Sequence, residues 1–97
     1  MNYAFHPDAE AEYLEAVAFY EIRRAGLGAT FIAEFEHVLA RVCDVPDRYP
    51  IAKQPDIRSI RLQRFPFKVH YREQKGAVQI LAIAHDRRRP AYWIGRL

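Results

Sequence analysis

His85 closes the apolar run Val78 to Ala84 and is followed at once by Asp86-Arg87-Arg88-Arg89-Pro90-Ala91-Tyr92-Trp93. An imidazole changes charge near neutral pH and can carry a proton. Three adjacent arginines offer forked donors that grip an oxyanion. The chemistry suggested is phosphate binding coupled to proton transfer. His85 at a strand end equally suits a structural hydrogen bond, and Asp86 is a partner for one of Arg87, Arg88 or Arg89. Tyr92 and Trp93 suit packing of the C-terminus onto the rest, with base stacking open to Tyr92. Earlier in the chain, Lys68, His70 and Arg72 alternate with Phe67, Val69 and Tyr71. A strand points successive side chains to opposite faces, so the basic three share one face, with Arg61 on the preceding strand. Such a face is a phosphate or RNA platform or a solvated surface, and periodicity alone does not separate the two. His6, His37, His70 and His85 are scattered, so no metal set and no cofactor are expected.

Charge divides the chain. Residues 1–50 hold four bases against nine acids, a net of −5, and residues 51–97 hold eleven bases against three acids, a net of +8. The overall +3 conceals this. A basic half on a small domain steers in an anionic partner, either nucleic acid or an acidic protein surface.

The elements that must position these groups follow from spacing. Tyr3 to Phe5 reads as a short strand. Pro7 and Asp8 open a helix, because proline suits the first turn and an acid suits the positive end of the helix. Apolar positions 9, 13, 16, 17 and 20 recur at helical spacing until Gly26-Leu27-Gly28 breaks the run. A second helix buries Phe31, Phe35, Val38, Leu39 and Val42 and ends before Pro46. Pro46, Pro50 and Pro55 mark an irregular crossing segment. The period then changes to two over Ser59 to Gln63 and over Phe67 to Arg72, with a turn at Glu73 to Ala77. Val78 to Ala84, nearly all apolar, predicts a central strand covered on both faces. The fold class is α+β in βααβββ order: a short N-terminal strand, a two-helix hairpin, and a three-stranded antiparallel sheet with the helices on one face.

Ninety-seven residues predict a single domain over 1–97, and a hydrophobic fraction of 51% supports a real core. No apolar run approaches the roughly 20 residues of a membrane span. The N-terminus shows neither a basic leader nor a long apolar stretch, so no secretory signal is expected. The lone Cys43 permits no internal disulfide, which fits the cytoplasm.

The order of elements carries a set of local motifs: Phe-His-Pro-Asp-Ala-Glu at the first helix, Gly-Leu-Gly at the turn, Arg-Phe-Pro-Phe into Val-His-Tyr-Arg, and Ile-Leu-Ala-Ile-Ala-His-Asp-Arg-Arg-Arg-Pro-Ala-Tyr-Trp at the end. Over nearly the whole chain this resembles the RelE/ParE superfamily of toxins from type II toxin–antitoxin systems. The resemblance implies a small cytoplasmic bacterial protein neutralised by a cognate antitoxin, with no membrane involvement and no cofactor. It also implies one of two targets. RelE-type members cut mRNA on the ribosome without a metal; ParE-type members bind and poison DNA gyrase and cut nothing. Laid over the RelE scheme, Ser59 and Arg61 stand where two lysines are expected and Lys68 where an arginine is expected. The C-terminal arginine and tyrosine find counterparts in the Arg87–Arg89 run and Tyr92. The implied catalytic set is Arg61, His85, Arg88 and Tyr92, and the implied RNA- or phosphate-binding set is Lys68, His70, Arg72, Arg87 and Arg89. Ser59 supplies neither base nor cation, and Arg61 holds phosphate but is a poor base. The apolar run into His85 and Arg87 also resembles ParE. The basic face leans the reading toward a ribosome-dependent mRNA endoribonuclease. A gyrase binder and a member that only binds antitoxin are the alternatives.

Overall fold

A computed structural model describes all of residues 1–97. Strand β1 (Asn2–Phe5) leads into helices α1 (Pro7–Arg23) and α2 (Leu27–Asp44). Strands β2 (Ile51–Lys53), β3 (Ile57–Arg61), β4 (Phe67–Gln74) and β5 (Ala77–His85) follow, with 3₁₀ turns at Pro46–Arg48 and Ile94–Arg96. The helical hairpin packs on one face of the sheet, as expected for an α+β domain. Neither helix is long and apolar enough to cross a membrane.

The sheet is larger than the expected three strands. Its order is β1-β5-β4-β3-β2, five strands in all. β1 pairs parallel with β5, Asn2 opposite Ala77 to Phe5 opposite Ile80, while the other pairings are antiparallel. β2 lies inside the proline-marked segment read as irregular and pairs only with Ile57 and Arg58. Both additions escape periodicity. A three-residue strand is too short to show a period, and parallel pairing joins residues that are about 75 positions apart. β5 thereby becomes an interior strand with neighbours on both edges, and its apolar run matches its cover on both faces.

The first helix is capped by His6, whose Nδ1 accepts the Asp8 N–H at 3.1 Å, with Pro7 in the first turn. Its turn into α2 needs glycine twice. Gly26 has φ +90, in the left-handed region. Gly28 lies so near α1 that an added Cβ would stand 2.9 Å from the Val17 carbonyl oxygen. The Glu21 carboxylate accepts the N–H groups of both glycines at 3.0–3.1 Å, satisfying donors at the start of α2. Gly28→Ala therefore forces the helices apart. The expected loss is about 1–3 kcal/mol of stability, read by urea denaturation; an unchanged midpoint would refute the close crossing.

Between the layers, the α2 stripe Phe31, Phe35, Val38, Leu39 and Val42 meets Val69, Tyr71, Val78, Ile80 and Ile83 from the sheet. A bulge interrupts the β4–β5 ladder: His70 opposes Ala82 while Tyr71 opposes Ile80, leaving Leu81 as the extra residue. Bulges re-aim side chains, and this one turns Leu81 and Ala82 to the far face, where they pack with Ile57 and Trp93. The two faces of β5 are thus covered by different parts of the chain, helices on one side and the C-terminal tail on the other.

Candidate anion-binding cleft

The far face of the sheet, crossed by the tail, holds a cleft of about 430 Å³. Strand pairing assembles its floor. Arg61 on β3 stands opposite Lys68 on β4, and Lys68 opposite Ala84, the residue before His85 on β5. Arg88, Arg89 and Tyr92 line the wall. Of the nine residues expected at a site, the cleft gathers Arg61, Lys68, His70, His85, Arg88, Arg89 and Tyr92. Arg87 instead faces a second pocket of about 350 Å³ beside Phe19, Tyr20 and Phe67, which His85 and Arg88 also line. Arg72 lies toward the opposite end of β4, where its Nε donates to Gln79 at 2.9 Å.

The turn after β5 is held by backbone hydrogen bonds, one of them to the segment before β4. The Asp86 N–H donates to the Pro66 carbonyl at 2.8 Å and the Arg88 N–H to the His85 carbonyl at 3.0 Å. His85 Nδ1 accepts the Arg87 N–H at 3.0 Å, which assigns the proton of the neutral ring to Nε2. The ring packs edge-on against Phe67 at 5.0 Å.

Several of the assembled groups are engaged by partners. Both guanidinium nitrogens of Arg61 hold the Asp86 carboxylate, one at 2.9 Å. Asp86 was expected to pair within the Arg87–Arg89 run; the strand register brings Arg61 to it instead. Hydrogen bonding to Arg61 lowers the Asp86 carboxyl below its ordinary value, with Lys68 and His85 adding to the effect. The Tyr92 hydroxyl donates to Glu12 at 2.5 Å. Burial and then that hydrogen bond push the phenol far above its ordinary value. Arg88 stacks its guanidinium 3.9 Å over the Tyr92 ring.

His70 lies under the tail. Its ring stacks on Trp93 at 4.7 Å, and its Nδ1 is buried without a partner. Burial first, then the Lys68 charge, depress it to about 4, so the ring is neutral. Lys68, Arg88 and Arg89 take part in none of the chain's ion pairs and remain available to an incoming anion.

Sequence reasoning missed Glu12 and Arg96. Arg96 forms a double hydrogen bond with the Glu12 carboxylate at 2.8 and 2.9 Å. It also donates to the Leu81 carbonyl at 2.9 Å, while Glu12 accepts the Ile83 N–H at 3.0 Å. The clamp thus satisfies backbone groups at the β5 bulge and just beyond it and pins the tail that walls the cleft. Burial would raise the Glu12 carboxyl; the hydrogen bonds from Arg96, Tyr92 and Ile83 together outweigh it and hold the carboxyl below its ordinary value. No local motif announces a pair 84 residues apart.

The donor set offers nothing for a metal: no group of three or more His, Cys, Asp or Glu side chains comes together. On the helix side, a groove of about 790 Å³ runs between α2 and β3. Because β2 reaches only as far as Arg58, the outer edge of Ser59 to Arg61 has no neighbouring strand.

Comparison with known proteins bears on the fold. The chain is similar to a solved chain of the chromosomal ParDE TA system from P. aeruginosa, with a TM-score of 0.62 at 18% identity over 88% of this chain and 95% of that one. No family model and no curated protein matches it. At that identity the likeness is one of fold, and it agrees with the α+β architecture read from the sequence.

Proposed function

We propose that this chain, a domain of the RelE/ParE fold, is the toxin component of a type II toxin–antitoxin pair and acts in the cytoplasm by binding its target rather than by cutting RNA. The observation that carries the reading is the lack of a second proton-transfer group in the candidate catalytic set. The Tyr92 proton is committed to Glu12, and Arg61 and Arg88 are guanidiniums that hold charge but are poor acids and bases. Cleavage through a 2′-hydroxyl needs one group to take that proton and another to protonate the leaving oxygen. Only His85 is left with a ring nitrogen and no side-chain partner in the hydrogen-bond network. A binding toxin needs no such pair. On this reading the target is DNA gyrase, and Lys68, Arg88 and Arg89 make the cleft a seat for carboxylates or phosphates of a partner. The open edge of β3 and its groove suit an antitoxin segment that adds a strand and lays apolar side chains alongside.

One observation favours the RNA reading: His85, Lys68, Arg88 and Arg89 share a cleft. The test uses antitoxin-free protein in two assays, gyrase supercoiling and cell-free translation with mapping of mRNA 5′ ends. Loss of supercoiling with intact message is the expected result. New 5′ ends that disappear in His85→Ala would overturn the binding reading. Normal supercoiling and normal translation together would overturn the toxin assignment.

A further inference from the structure

Asp86 occupies the focus of the cleft's positive charge. Its two carboxylate oxygens take both terminal nitrogens of Arg61, and Lys68 and His85 are near enough to act on its charge. Arg61 reaches it from β3 and the other two from β4 and β5, so three strands converge on one carboxylate. A planar guanidinium fork with an ammonium and an imidazole beside it is the donor pattern that binds carboxylate or phosphate through two oxygens.

From this arrangement we propose that Arg61, Lys68 and His85 form an oxyanion-binding site in which Asp86 is a displaceable internal tenant, competing with the carboxylate or phosphate of an incoming partner. The proposal rests on the reading of the cleft as a seat for an anionic partner and specifies how that seat is gated. Magnitude favours displacement. Arg61 is 54% exposed and Asp86 32% exposed; the fork geometry strengthens the pair, while water and salt at this exposure screen it. A buried pair would lock the site; this one yields to a better anion. Asp86 sits on the turn after β5, where its backbone is held by Pro66, so its side chain can swing away while the turn keeps its place.

The test measures binding of two probes, tripolyphosphate and a hexaglutamate peptide, to the full chain by calorimetry at low salt. Asp86→Asn keeps the shape of the side chain and removes its charge. Glu73→Gln, at the far end of β4, makes the same change in net charge and reports the general electrostatic effect. The expected result is that Asp86→Asn tightens at least one probe about three- to fivefold beyond Glu73→Gln, and that this gain disappears in an Arg61→Gln background. Equal gains from Asp86→Asn and Glu73→Gln would overturn the proposal, as would a gain that persists without Arg61. A gain confined to hexaglutamate identifies the natural ligand as an acidic protein segment, and one confined to tripolyphosphate identifies a phosphate. Binding of neither probe altered by Lys68→Ala with Arg88→Ala would instead remove the anion-seat reading of the cleft, a separate result.

Discussion

Glu12→Ala is expected to lower folding stability by about 3 kcal/mol, a large share of the roughly 5–15 kcal/mol available to a domain of this size. The carboxylate accepts from the Tyr92 hydroxyl and the Ile83 N–H and takes two bonds from Arg96. With side-chain exposures of 14% for Glu12 and 13% for Arg96, the pair is largely out of water. Removing one partner leaves the guanidinium short of its counter-ion, with the Leu81 carbonyl, the Tyr92 ring and the more distant Asp8 carboxylate, 3.8 Å away, as its remaining neighbours. Breaking half of such a pair costs far more than the pair contributes as a whole. Replacing both sides, Glu12→Leu with Arg96→Met, is accordingly expected to recover most of the loss. Urea denaturation of the two variants reads both effects. A loss below about 1 kcal/mol in Glu12→Ala would show that the clamp does not carry the tail.

The second large effect is a pH dependence centred on His70. In the folded chain its pKa is depressed from 6.5 to about 4. A base whose folded pKa lies below its unfolded value leaves the unfolded chain binding more protons between the two. Stability therefore rises with pH through that interval. The contribution is fully present above pH 6.5 and is lost as pH falls toward about 4. At 1.36 kcal/mol per pH unit the full loss is on the order of 3 kcal/mol. Lys68 reinforces it from the same strand, and the Glu12 carboxylate opposes it. The lowered carboxyls of Glu12 and Asp86 make their own losses at more acid pH, starting below their ordinary values of 4.5 and 3.8. His70→Phe keeps an aromatic face for Trp93 and has no proton to take. Denaturation at a series of pH values should show wild type and variant diverging as pH falls below 6.5. Parallel curves through that interval would mean that His70 is open to water in solution.

His70 also shows how far the candidate site can be read from sequence. Alternation places Lys68, His70 and Arg72 on one face of β4, and the pairing of β4 with β3 sets Lys68 beside Arg61. Alternation says nothing about what lies over that face. The tail returns across it, so His70 is stacked under Trp93 while Lys68 stays open. Arg72, four residues along the strand, is beyond the cleft and bonded to Gln79. Three residues with one sequence signature thus meet three environments. Arg61 makes the same point, since its availability depends on Asp86, 25 positions away.

By itself the sequence determined what short-range physics controls. Helical spacing set the two helices and the α2 core stripe, glycines set the turn between them, and an apolar run marked β5 as a strand covered on both faces. Charge counting placed the basic residues in the sheet half. These features depend on residues within a few positions of one another, where backbone geometry imposes a period of 3.6 or 2. Tertiary structure alone decided the pairing of β1 with β5, the small strand β2, and the bulge at Leu81. It alone decided the Glu12–Arg96 clamp and the capture of Arg61 by Asp86. Each of these joins groups whose meeting depends on how the whole chain closes, and no local period encodes a partner that arrives from the other end of the chain.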